Sequence, residues 1–94
     1  MFTITKDDSG IVLLAGRLDA VAAPIARDFL KSVTDTTRLD FSQLDYIASV
    51  GLGILASVQR RLLDKQAGLI LTGLNPHLRE VFTLAGFEGV FKFE

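Results

Sequence analysis

The feature that most constrains this chain is an alternation of two hydrophobic periods along a short sequence. Short apolar runs that suit strands are separated by segments whose apolar residues recur at helical spacing. Phe2 to Thr5 alternates apolar and polar residues, as a half-buried strand does. After a turn at Asp7, Asp8, Ser9 and Gly10, the run Ile11 to Ala15 reads as a buried strand, and Gly16, Arg17, Leu18 and Asp19 lead out of it. Ala22, Ile25, Ala26, Phe29, Leu30 and Val33 then keep a helical period. Pro24 lies near the start of that helix, where its missing N–H costs little. A strand is expected over Arg38 to Phe41, a helix over Val50 to Gln66 stopped by Gly68, and a strand over Leu69 to Thr72. Asn75 and Pro76 open a third helix as N-cap and first-turn proline, with Leu78, Val81, Phe82 and Ala85 on its apolar face and Gly86 as its C-cap. Val90 to Phe93 reads as a last short strand.

The order β-β-α-β-α-β-α-β leaves few arrangements. Strands joined through helices cross over right-handedly and pair in parallel. The expectation is an α/β fold, one domain over residues 1–94, with a mostly parallel four- to five-stranded sheet and helices packed against it. The tight turn between the first two strands makes that pair antiparallel. Hydrophobic residues at 49% and charged residues at 22% are enough for one modest core and exclude a disordered chain.

Charge and residue usage remove several function classes. The net charge of −1 offers no basic excess to neutralise a phosphate backbone, which argues against nucleic acid as a partner. With no cysteine and one histidine there is no disulfide framework and no usual zinc site. No nucleophile elbow or Ser-His-Asp arrangement supports a hydrolase. The opening MFTITKDDSG has neither the basic nor the apolar region of a signal peptide, and no apolar run approaches the roughly 20 residues of a membrane span. The expectation is a cytoplasmic, non-enzymatic protein without cofactor, metal or direct membrane insertion.

The functional signal lies in Leu39 to Arg61, LDFSQLDYIASVGLGILASVQRR. It reads as a short buried strand through Leu39 and Phe41, a loop, and a helix opened by Ser49 and followed by Gly51, Leu52 and Gly53. A serine there has two uses. Its oxygen can cap the first-turn N–H groups. Phosphorylated, it places a dianion where those N–H groups and the helix dipole favour negative charge, with the N–H groups near Gly51 and Leu52 as receivers. Leu52, Leu55, Ala56, Leu62 and Leu63 share one helix face, and Ser57, Arg60, Arg61 and Asp64 the other. Ile54 falls outside the apolar face on a helical wheel and is expected to be an exposed contact residue. The paired glycines lack the spacing of a dinucleotide loop. Asp19 suits a cap at the first helix. Asp40 and Asp45 suit solvated loop positions better than acid–base catalysis, and His77 an exposed first turn.

Four segments in order resemble the STAS family, the domain of anti-sigma-factor antagonists and of sulfate-transporter tails. GRLDA is similar to the family's Gly-x-Leu-Asp segment, LDFSQLDYI to its Leu-Asp-Leu-Ser-x-Leu-x-x-Ile segment, ASVGLGIL to its Asp-Ser-Ser/Thr-Gly-Leu-Gly-x-Leu segment, and TGLNPHLREVFTLAGF to its penultimate strand and last helix. The resemblance implies a regulatory protein-interaction module. Ser49 aligns with the serine that the partner anti-sigma factor phosphorylates as an ATP-dependent kinase. Asp19, Ala48, Ser49, Val50, Gly51, Gly53 and Ile54 form the expected partner-binding set. Ala48 stands where the family has Asp, and Val50 where it has Ser, Thr or Gly. The lost carboxylate implies slow transfer. Small STAS proteins also serve as cytoplasmic subunits of ABC-type phospholipid transporters, docking on the ATPase without phosphorylation. A scaffold role in a stress-signalling assembly is the third reading.

Overall fold

The computed structural model describes residues 1–94. Its elements are β1 (Phe2–Lys6), β2 (Val12–Leu18), α1 (Ala23–Leu30), β3 (Thr37–Ile47), α2 (Ser49–Leu63), β4 (Leu69–Thr72), α3 (Pro76–Leu84) and β5 (Lys92–Phe93). The sheet keeps the chain order β1-β2-β3-β4-β5. β1 runs antiparallel to β2, and every later neighbour is parallel. Because the order never reverses, right-handed crossovers set all the helices on one face. Burial follows from that. Val12, Leu14, Leu18, Leu39, Phe41, Leu69 and Leu71 are covered by the helices, while Thr3, Thr5, Leu13, Arg17, Arg38 and Tyr46 of the other face are exposed. On that open face the Arg17 guanidinium lies 4.2 Å from the Tyr46 ring centre.

The main departure from expectation is β3, which runs to Ile47 where a loop was expected after Phe41. Its apolar residues, Leu39, Phe41, Leu44 and Ile47, do not alternate, and the register explains why. Between the pairs Leu13↔Asp40 and Ala15↔Gln43, and again between Gly16↔Leu44 and Arg17↔Tyr46, β3 carries one residue more than β2. Each extra residue shifts the phase of the alternation, so all four apolar side chains reach the core. β2 is also longer than expected, and Gly16 lies inside it at φ +89°. A Cβ there would overlap the carbonyl of Met1, so only glycine fits. β5 is confined to Lys92–Phe93.

The third helix begins as its sequence demands: Asn75 Oδ1 accepts the N–H of Leu78 at 2.8 Å. It ends in a Schellman motif, with Gly86 at φ +84° and the Phe87 N–H bonded to the Phe82 carbonyl at 2.9 Å. α2 stops differently from expectation. The left-handed residue is Gln66, at φ 60°, and the Ala67 N–H returns to the Leu62 carbonyl at 3.0 Å. Gly68 instead gives room to the Gln59 side chain, whose Oε1 would lie 3.4 Å from a Cβ there.

The core is one cluster of 23 buried apolar residues. At one side of it Phe82 packs edge-to-face with Phe41, Phe91 and Phe93, at centroid distances of 5.8–6.0 Å. Gln59, buried on α2, accepts the Leu69 N–H at 2.7 Å and donates to the Val90 carbonyl at 2.8 Å. One side chain thereby joins α2 to β4 and to the segment before β5. No helix is long and apolar enough to cross a membrane.

Candidate functional site

β2 and β3 end together, with Leu18 paired to Ile47, whereas β4 stops opposite Asp40. The ends of β2 and β3 therefore extend past the rest of the parallel sheet, and α2 begins at that corner. The expected loop is reduced to Ala48. Its extended backbone (φ −88°, ψ 167°) makes it the N-cap residue of α2. Its N–H donates to the Leu18 carbonyl at 2.9 Å, and its carbonyl accepts from Gly51 at 2.9 Å and Leu52 at 3.1 Å. Strand end and helix start are thus spliced through one residue with no capping side chain.

Two expectations change as a result. Ser49 is the first helical residue, so it does not cap: its hydroxyl makes no hydrogen bond and faces solvent. The Gly51 and Leu52 N–H groups already serve the Ala48 carbonyl. The first-turn donors left without an acceptor are those of Ser49 and Val50. Such unpaired donors carry the positive end of the helix dipole.

The glycines divide in role. A Cβ on Gly51 would come within 2.9 Å of both Ile47 Cγ1 and Leu18 Cγ, so glycine is what lets α2 start so close to the strand ends. Gly53 is exposed, and nothing lies within 4 Å of where its Cβ would be. Val50 is partly exposed at 38%. Ile54 corrects the reading of the helical wheel: it is buried, at 7% exposure. The wheel allowed α2 one buried face, but α2 has two. Leu52, Leu55 and Leu62 are buried against the sheet, and Ile54 and Val58 on the side toward α1. Leu63, expected in the core, is exposed at 57%.

Asp19 does not cap α1, whose N-cap is Ala22 with no capping side chain; it closes the turn before the helix. Its Oδ1 accepts the Ala22 N–H at 3.0 Å and its carbonyl the Ala23 N–H at 2.9 Å, which folds Ala20 to Ala22 into the turn before α1. It follows Leu18, the residue bonded to Ala48, and so borders the Ser49 corner. Val21, in the same turn, is 86% exposed. Asp40 accepts the Ser42 N–H at 2.8 Å, Asp45 is exposed, and no hydrogen bond joins them. His77 is exposed. No group of three His, Asp or Glu side chains is placed to hold a metal.

The perturbed carboxylates lie elsewhere. Asp7 is held below its ordinary range by the Ser9 hydroxyl and the Ile11 N–H. Glu88 is held down by the Thr83 hydroxyl and Arg79, and Glu94 by Arg38. Sequence reasoning missed Arg61 as a structural residue. The helical wheel sets it on the solvent face, yet its guanidinium donates to the Val33 and Leu30 carbonyls at 2.8 and 2.9 Å. An arginine in the last turn of a helix offers little signal of that, because its acceptors lie about 30 residues away in sequence.

The family described as Mlab, STAS domain matches residues 1–92. A 53-residue stretch, 56% of this chain, is 45% identical to the BtrV protein of Bordetella bronchiseptica, and covers 46% of that protein's length. The anti-sigma-B factor antagonist of Listeria monocytogenes is 28% identical over 87 residues, which make up 88% of this chain and 76% of that one. The crystal structure of an anti-sigma factor antagonist from Mycobacterium paratuberculosis superposes with a TM-score of 0.82 at 26% identity, over 99% of this chain and 83% of that one.

Proposed function

The chain belongs to the STAS domain family, and we propose that it acts as an anti-sigma-factor antagonist, docking on a kinase-type anti-sigma factor through the first turn of α2. The observation that carries this reading is Ser49: a free, exposed hydroxyl on a protruding corner, beside two unused backbone donors. Apolar Val50 is exposed next to it, and Val21 is exposed in the turn that Asp19 closes, which gives a partner apolar surface to pack on. Asp19 borders the same corner with one carboxylate oxygen that makes no hydrogen bond.

In the modifying step the partner's ATP is the phosphoryl donor. The Ser49 Oγ–P bond forms, the bond from the γ-phosphorus to ADP breaks, and a base of the kinase takes the hydroxyl proton. The product carries a charge of about −1.5 to −2 at neutral pH. The Ser49 and Val50 N–H groups and the helix dipole offset that charge by roughly 0.3–1 kcal/mol at an exposed site. A partner surface packed against an uncharged serine has no such compensation. Modification therefore releases the partner and leaves the fold intact.

Ala48 favours a second reading. It leaves no carboxylate at the position directly before Ser49, which suits constitutive docking on a transporter ATPase without phosphoryl transfer. One experiment separates the two: incubation with the cognate kinase and ATP, followed by mass spectrometry. The first reading expects slow modification at Ser49 alone. Modification at Ser57 or a threonine, or none, removes the switch.

A further inference from the structure

Alongside the Ser49 corner, α1 and α2 leave a groove of about 520 Å³. Its floor is Val50, Ile54 and Val58, a stripe at i, i+4 and i+8 that runs about 12 Å along α2. Ile54 and Val58 are recessed, at 7% and 8% exposure. The rim is basic: Arg27 and Lys31 at the end of α1, and Arg61 on α2. No carboxylate lines the groove, although the chain as a whole carries a net −1. Arg61 is held in place by the carbonyls that close α1. Arg27 has no ion pair, and Lys31 has only Asp28 at 3.4 Å, with both side chains 73% exposed, a pair of little strength. Gly53 opens the same wall. A glycine inside a helix costs about 1 kcal/mol relative to alanine, and no neighbour of Gly53 requires it. What it leaves is bare backbone where another chain can approach closely.

We propose that this groove receives an acidic amphipathic helix of the partner protein. Apolar side chains one turn apart enter between Arg27 and Arg61 to reach Ile54 and Val58, and flanking carboxylates meet the three cations. A recessed floor suits inserted side chains and not a flat lipid surface. The inference rests on the docking reading above, since the partner is the one engaged at Ser49, but it does not involve phosphoryl transfer.

The test uses the isotope-labelled full chain and two synthetic helices of about four turns, one with a leucine stripe flanked by glutamates and its counterpart with lysines. The glutamate helix should shift the amides of Arg27 to Lys31 and of Val50 to Arg61. Its affinity should fall about tenfold in Arg27→Gln/Lys31→Gln, and also in Gly53→Gln, which fills the opening. Both changes are at exposed positions, so the fold is kept. No saturable shift up to about 1 mM, equal binding of the lysine helix, or binding only to phosphatidylglycerol vesicles would overturn the proposal. The peptide assay contains no kinase. Its failure leaves the Ser49 reading standing, and failure of phosphoryl transfer at Ser49 leaves the groove result standing.

Discussion

Near its end, α2 turns Gln59 and Arg61 inward; from Ser49 to Ser57 it leaves its polar groups unused. Gln59 joins β4 and the segment before β5, and Arg61 closes α1, each through two hydrogen bonds to backbone carbonyls or amides. Nearby, Phe82 gathers the aromatic side of the core. At the other end the Ser49 hydroxyl and two N–H groups have no acceptor, Val50 is exposed, and Gly53 leaves backbone bare. The contrast teaches a division of labour. The inward polar ties lie at one end, and the other, though its Leu52, Ile54 and Leu55 share the core, leaves polar and apolar groups free for the proposed partner. Gly51 marks the limit of the division, because its missing Cβ is a packing requirement within the otherwise free first turn.

Substitutions can break that comparison, and the largest effect belongs to the aromatic side. Phe82→Ala removes a fully buried ring from contact with four others. It should cost about 3–5 kcal/mol, measured by urea unfolding. Gln59→Leu keeps the volume but leaves the Leu69 N–H and the Val90 carbonyl unpaired. It should cost about 1–3 kcal/mol, with hydrogen exchange at Leu69 accelerated. A loss below about 0.5 kcal/mol would show that Gln59 is not the tie described. Gly53→Ala sharpens the contrast from the other end. The added methyl meets nothing, so stability should rise by about 0.5–1 kcal/mol, a few degrees in melting temperature for a domain of this size. A destabilised Gly53→Ala would mean that this end carries hidden structural work.

The sequence made some of these features legible and concealed others, for physical reasons. Asn75, Pro76 and Gly86 mark the third helix because capping is local chemistry, and the structure places that helix at Pro76–Leu84. The alternation of strand and helix periods carries the whole topology, because right-handed crossovers leave one way to lay the strands side by side. β3 was read too short because its two extra residues break the alternation of Leu39, Phe41, Leu44 and Ile47, and a bulge is visible only once the partner strand is known. Ile54 was misplaced because one helix gives no hint of a second helix beside it. Gln59 and Arg61 look like surface residues until their distant backbone partners are in place. Ser49 stands at the expected corner, but of its two readings the cap falls, because that position belongs to Ala48.

The central proposal is that the exposed groups of the first turn of α2, Ser49 above all, serve docking and carry no stability, which rests on the buried residues beneath them. It is tested most directly by measuring, in parallel, the affinity for the cognate kinase-type anti-sigma factor and the melting temperature of the native chain, Ser49→Ala and Ser49→Asp. Ser49→Ala should bind as the native chain does. Ser49→Asp should bind at least about tenfold more weakly, through a charge set against a packed surface. Both should melt within about 4 °C of the native chain. Equal affinity of the two variants, or a loss of binding matched by a loss of stability, would contradict the account.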